Sequence, residues 1–207
     1  MRSSSLQHQG PSTNAVLYWI GRLWLTLTGW KVEGEVPPLQ HAIIIAAPHT
    51  SNWDLPHMLA VSWVLRWRIS WMGKHTLFRG MGGRFLRAMG GVPVDRRAAG
   101  GVVASAARRL QSDAPPLILA VAPSGTRSRR DHWKSGFYWI AKTAECPIIM
   151  SYLDYGQRRV GIGPLLTPSG DLVADMDKVR AFYKDMDGRN SAKVSAIVLR
   201  EELDAGQ

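Results

Sequence analysis

Apolar runs at 42–47, 117–122 and 147–152, each bounded by turn residues, constrain this chain more than any other feature. Runs this apolar carry no alternation of wet and dry positions, so they suit strands covered on both faces, as in sheets sandwiched between helices. Weaker strand signals stand at 68–72, 91–94 and 159–163. Between them, helical patterns fall at 54–65, 82–89, 101–112, 136–145 and 175–187. Strands alternating with helices predict an α/β single domain with a central mixed sheet flanked by helices. A chain of 207 residues suffices for one such core and is short for two. With 45% hydrophobic and 20% charged residues, wholesale disorder is excluded. No internal repeat or low-complexity linker interrupts the pattern.

The first long run leads through Pro48 into His49-Thr50-Ser51-Asn52-Trp53-Asp54. A strand exit of this kind presents an imidazole at the mouth of a pocket, and an Asp within reach can fix its tautomer. Taken alone, the pair also fits a capped helix start, with Ser51 or Asp54 as the cap. Two further strand exits carry functional groups. Gly90-Gly91-Val92-Pro93-Val94-Asp95-Arg96-Arg97 offers guanidinium groups suited to a phosphate, and Ala122-Pro123-Ser124-Gly125-Thr126-Arg127 offers hydroxyls, a glycine and another cation. Each loop could be merely solvated and basic. Three such exits on one sheet point to a shared site, because ligands of open α/β sheets gather at the strand ends.

Charge narrows the partners. There are 26 Lys and Arg against 16 Asp and Glu, a formal net charge of +10, which favours a polyanionic neighbour such as nucleic acid or an anionic membrane. Nine tryptophans favour the membrane, since the indole ring prefers the bilayer interface. The stretch from Tyr18 to Trp30 is too short to span a bilayer, which takes roughly 20 apolar residues. It contains Arg22 and lacks a small-residue cleavage site. Two readings fit it: an interfacial helix over 14–31 inserting Trp19, Leu23, Trp24, Leu27 and Trp30, or a helix packed on the domain's own core. A second interleaving of Trp with Arg, at 63–71, fits either base stacking or a helix end running into a strand. Residues 1–13 and 204–207 have the composition of flexible tails, leaving 32–203 as the main domain.

The lone Cys146 cannot form an internal disulfide and is expected in the core of a protein from a reducing compartment. His57, three residues beyond Asp54, could be drawn with His49 and Asp54 as a metal site, but catalytic zinc sites show tighter pairs, so no metal is expected.

The order of these blocks resembles the glycerolipid acyltransferases typified by lysophosphatidic acid acyltransferase. His49 to Asp54 is similar to that family's H-x4-D motif, and Lys74 stands where the family often has a Lys. Gly91-Val92-Pro93-Val94-Asp95-Arg96 resembles its second block, Ser124-Gly125-Thr126-Arg127-Ser128 its E-G-T-R-S block, and Cys146-Pro147-Ile148-Ile149-Met150 its fourth. The similarity spans about 32–164. Ser124 stands in place of the family's Glu, and Pro48 in place of a frequent Asn.

The resemblance implies an O-acyltransferase without a cofactor. Its co-substrate is an acyl thioester, acyl-CoA or acyl carrier protein, and its acceptor the hydroxyl of a lysolipid or glycolipid. His49 is the implied general base and Asp54 its orienter, while Lys74, Arg96, Ser124, Gly125, Thr126 and Arg127 form the implied substrate-binding set, with amides near Gly125 supporting the oxyanion. An anionic membrane surface is the implied partner rather than nucleic acid, and the cytoplasmic face of the cell membrane, held peripherally or monotopically, the implied location. A non-catalytic binder of anionic lipid or nucleic acid, and a metal-dependent hydrolase using His49, Asp54 and His57, are the competing classes.

Overall fold

Seven strands form one sheet in the computed structural model, which describes residues 14–94, 99–112 and 115–205. In chain order the elements are α1 (Ala15–Thr28), β1 (Lys31–Glu33), β2 (His41–Ala47), α2 (Asp54–Val64), β3 (Ser70–Lys74), α3 (Gly80–Ala88), β4 (Gly91–Val94), α4 (Ala99–Gln111), β5 (Leu117–Val121), α5 (Gly136–Thr143), β6 (Ile148–Asp154), β7 (Arg159–Leu166), α6 (Leu172–Tyr183) and α7 (Arg200–Ala205). Single turns of 3-10 helix occupy His75–Phe78 and Ser191–Lys193. The strand order is β1-β7-β6-β2-β5-β3-β4. β2, β3, β4, β5 and β6 pair in parallel, whereas β7 runs antiparallel to β6 and carries β1 parallel to itself. The sheet is therefore mixed, as the alternation of strands and helices predicts.

β2 shows why the apolar runs are continuous. Ile43 and Ile45 face the cluster built with Phe137, Tyr138, Met176 and Val179, and Ala42 and Ile44 face the one built with Trp67, Trp71 and Phe78. Alternate residues of one strand thus enter two cores, so no position is free to be polar. Burying each large side chain contributes about 1.5–3 kcal/mol. Pro93 lies in β4 and Pro164 in β7, residues that cannot donate to a ladder. β4 is an edge strand paired only with β3, and Pro164 lies beyond the part of β7 that pairs with β1.

The sequence reading misses β1, whose Lys-Val-Glu is three residues long and has no apolar signature. It also misses α7, which continues through Asp204 and Ala205; residues 1–13, 206 and 207 lie outside the described part. The Trp/Arg stretch at 63–71 is resolved as the end of α2 and the start of β3. Trp67 and Trp71 are buried, and Trp71 Nε1 donates to the Met89 carbonyl at 2.9 Å, so neither ring offers a stacking face.

α1 settles against α2. Asn14 caps it, its side chain accepting from Leu17 N–H at 2.9 Å, and Gly29 ends it in the left-handed conformation at φ 72°. Leu25 and Trp30 pack with Ala60, Val61, Leu153 and Val160, while Trp24 stacks on Trp53 with ring centroids 6.0 Å apart. Trp24 and Trp30 therefore do not belong to an inserted face. Val16, Trp19, Ile20, Leu23 and Leu27 form the opposite, exposed stripe. Among the described residues no helix is long and apolar enough to cross a membrane.

Candidate active site

Parallel strands end on one edge of the sheet, and β2 delivers His49 there. His49 Nδ1 stands 2.9 Å from Asp54 Oδ2, with the imidazole a quarter exposed and the carboxylate buried. Asp54 opens α2, where the partial positive charge of the helix N-terminus favours an anion. Its Oδ2 also accepts from the amides of Thr50 at 3.0 Å and Ser51 at 3.1 Å. Its Oδ1 accepts from the Tyr155 hydroxyl at 2.9 Å. Four donors from two parts of the chain hold one carboxylate, so its orientation is set before any ligand arrives. The phenol pays for this position in acidity, since burial first and the Asp54 charge second push the Tyr155 pKa far above its ordinary value.

The loop carrying His49 is pinned from a third side. Asn190 donates its backbone N–H to Thr50 Oγ1 at 3.2 Å and its side-chain amide to the Thr50 carbonyl at 3.0 Å. With Nδ1 turned toward Asp54, His49 keeps Nε2 for a partner in the cleft. That partner has room. His49 lines a groove of about 640 Å³, within the range of roughly 300–1,000 Å³ usual for small-molecule sites. Its apolar wall holds Met72, Val103, Val121, Phe137 and Ile140, and charges of both signs also line it, Lys134 and Arg200 with Glu201 and Asp204, Arg200 Nε standing 3.9 Å from Asp204 Oδ2.

The glycine loop reaches the same edge. Ser124 is buried beside His49 along a smaller cleft, and its hydroxyl donates to the Thr126 carbonyl at 2.8 Å. Gly125 lines the main groove at φ 64°, a left-handed conformation that favours glycine; a Cβ there would meet Lys134 Cε at 3.3 Å. Its own amide donates to the Ala122 carbonyl at 2.9 Å and is thereby engaged within the turn. Thr126 Oγ1 accepts from Ser128 N–H at 3.4 Å, closing the turn. Arg127 is exposed just beyond, and Lys74 is exposed at the end of β3 on the same sheet edge. Neither lines the groove. Arg96 lies outside the described residues.

Tyr155, Asn190, Lys134 and Arg200 are absent from the sequence reading. Tyr155 meets Asp54 across 101 positions, and no local pattern encodes such a contact. His57 turns away from His49. Its Nδ1 donates to the Trp53 carbonyl at 2.7 Å, and its ring packs on Trp30 with centroids 4.5 Å apart. Burial lowers its pKa from the ordinary 6.5, against the Trp53 carbonyl and the Asp54 charge, which raise it. Among the described residues, no three His, Cys, Asp or Glu side chains cluster as metal ligands would. Cys146 is buried, and burial pushes its thiol up to about 11, far from the reactive range.

No curated protein sequence matches the chain. Its fold is similar to that in the crystal structure of the 1-acyl-sn-glycerophosphate (LPA) acyltransferase PlsC from Thermotoga maritima, at a TM-score of 0.56 and 20% identity over 82% of this chain and 74% of that one. The model of the acyltransferase family matches residues 29–153, a segment that holds α2, the His49 and Asp54 pair, the glycine loop and the sheet as far as β6; the chain belongs to that acyltransferase family.

Proposed function

We propose that this acyltransferase moves a fatty acyl group from a thioester, acyl-CoA or acyl carrier protein, to a hydroxyl of a lysophospholipid or related glycerolipid at a membrane surface. The observation that carries this reading is the His49 and Asp54 pair, 2.9 Å apart at the mouth of an apolar groove. His49 Nε2 takes the proton of the acceptor hydroxyl as its oxygen bonds to the thioester carbonyl carbon. The tetrahedral adduct then collapses, the C–S bond breaks, and the leaving thiolate recovers the proton from the imidazolium. Asp54 stabilises the imidazolium while it exists. The acyl chain occupies the apolar wall formed by Met72, Val103 and Phe137. Lys134 in the groove supplies a cation for the acceptor's phosphate, with Lys74 and Arg127 outside the groove on the same sheet edge and Arg96 as the further cation implied by the resemblance to glycerolipid acyltransferases. The exposed stripe of α1 holds the enzyme at the bilayer, where acceptor and product reside.

The test is transfer of labelled acyl groups from acyl-CoA and acyl carrier protein donors to a mixed lysolipid and glycolipid pool. Wild type is compared with His49→Ala, and each assay is repeated with chelator. Product with wild type, reduced about 10²- to 10⁴-fold or more in a folded His49→Ala protein and insensitive to chelator, is the expected outcome. Equal transfer by both proteins overturns the role of His49. Loss with chelator favours metal-dependent chemistry. Binding of anionic lipid or nucleic acid without transfer favours the non-catalytic reading.

A further inference from the structure

α3 carries an apolar stripe that the acyl-transfer site does not use. Leu77 is 50% exposed, Met81 86% and Phe85 63%. Met81 and Phe85 are four apart in α3 and share one side of it, and Leu77 is exposed in the 3-10 turn just before, separated from α3 by the extended Arg79. The other side of α3 is spent on the fold. Gly83 sits against the Phe78 backbone, where a Cβ would come within 2.1 Å, and Leu86 packs into the cluster of Trp71, Phe78 and Ile118. Arg87 is tied down as well, donating to the Phe78 carbonyl at 2.9 Å. Arg79 and Arg84 remain exposed beside the stripe.

Charge indicates what covers it. Residues 55–94 contain six Lys and Arg and no Asp or Glu, so this stretch is cationic throughout. Acidic groups lie in other elements: Asp171, Asp175 and Asp177 in and before α6, and Glu201, Glu202 and Asp204 in α7, of which Glu201 and Asp204 line the groove of His49. α3 also packs into the same cluster as Leu55 and Met58 of α2, the helix that carries α1, so both exposed stripes lie on one side of the sheet. The turn at His75–Phe78 begins directly after β3, at the strand edge that holds His49. Apolar side chains flanked by arginines, in a stretch of sequence free of acids, complement a bilayer containing anionic lipid.

We propose that α3 is a second bilayer-docking element. Leu77, Met81 and Phe85 enter the headgroup layer of an anionic membrane, Arg79 and Arg84 contact lipid phosphates, and contact through α1 and α3 together sets the cleft's orientation to the lipid surface. This rests on the reading that the acceptor is a membrane lipid.

The experiment uses full-length single-cysteine additions at Leu23 (α1), Met81 (α3) and Val173 (α6), namely Leu23→Cys, Met81→Cys and Val173→Cys, each labelled with an environment-sensitive dye. The native Cys146 is buried, and unsubstituted protein labelled in parallel measures any background. Vesicles of phosphatidylcholine with phosphatidylglycerol are compared with phosphatidylcholine alone. Blue-shifted emission at 81 and 23 with the anionic vesicles, and none at 173, is the expected result. A shift at 23 without one at 81 overturns docking by α3 while leaving membrane association intact. A shift at all three positions overturns the defined orientation, and a shift at none overturns the membrane reading as well. In an independent measurement, the double variant Met81→Asp and Phe85→Asp loses vesicle affinity by about tenfold or more, with its thermal unfolding unchanged because both sites are exposed. Unaltered affinity in that variant overturns the proposal.

Discussion

At the scale of single residues, the Asp54 carboxylate shows how the site is held. A carboxylate with one ligand could swing; this one accepts from Thr50 N–H, Ser51 N–H and Tyr155 O–H and faces His49 Nδ1, all within 3.1 Å. In the proposed mechanism Tyr155 acts through Asp54, as a positioning residue. Tyr155→Phe keeps the ring packed on Trp30 and removes only the donor. We expect kcat to fall about tenfold with KM little changed, since a hydrogen bond to a charged group contributes roughly 1.5–3 kcal/mol and part of it is replaced by relaxation; steady-state kinetics checks the split. His57 gives a pH prediction. Its folded pKa is lowered by burial below the ordinary 6.5, so between those two values the unfolded chain binds a proton that the folded chain does not. Its contribution is complete above pH 6.5 and is lost as pH falls toward the folded value. Urea midpoints at pH 5, 6 and 7.5 should fall with acidification in wild type, and with a shallower slope in His57→Phe.

At the scale of elements, α1 is two helices in one. Gly21 lets it approach α2 so closely that a Cβ would stand 2.7 Å from the Ala60 carbonyl oxygen. Gly21→Leu must push the helices apart, at a cost of about 1–3 kcal/mol, typical of overpacking. Thermal unfolding should show a lower midpoint. The stripe of Val16, Trp19, Ile20, Leu23 and Leu27 points away from that contact, so Leu23→Ser should leave the midpoint nearly unchanged. The amphipathic pattern could not choose between packing and insertion because the helix has an apolar face for each. Residues 15–30 are largely apolar with Arg22 as their one charged residue, and only the position of α2 separates Trp24 and Trp30 from Trp19 and Leu23.

At the scale of the whole molecule, the net charge of +10 is unevenly spread, with the acid-free stretch at 55–94 and acids gathered toward the C-terminal third. Attraction to anionic lipid should therefore weaken with salt. The screening length shrinks from about 10 Å at 0.1 M to about 3 Å at 1 M. Raising salt should lower affinity for phosphatidylglycerol vesicles severalfold in a sedimentation assay and leave a residual apolar component, which a Trp19→Ser and Leu23→Ser variant should reduce.

The sequence by itself determined the α/β class, six of the seven strands, and that His49 and the loop at 123–127 follow strand ends, while the exit at 95–97 lies outside the described residues. It could do so because a strand buried on both faces must be apolar throughout, and because a parallel sheet sends successive strand ends to one edge. β1 was not legible, since a three-residue Lys-Val-Glu has no period to read. Only the tertiary structure decided which donors reach Asp54, which of the tryptophans remain exposed, and that the Gly125 amide is consumed inside its own turn. Those outcomes depend on contacts between distant segments, such as Tyr155 with Asp54 and Asn190 with Thr50, and a contact across a hundred or more residues leaves no trace in the local pattern on either side.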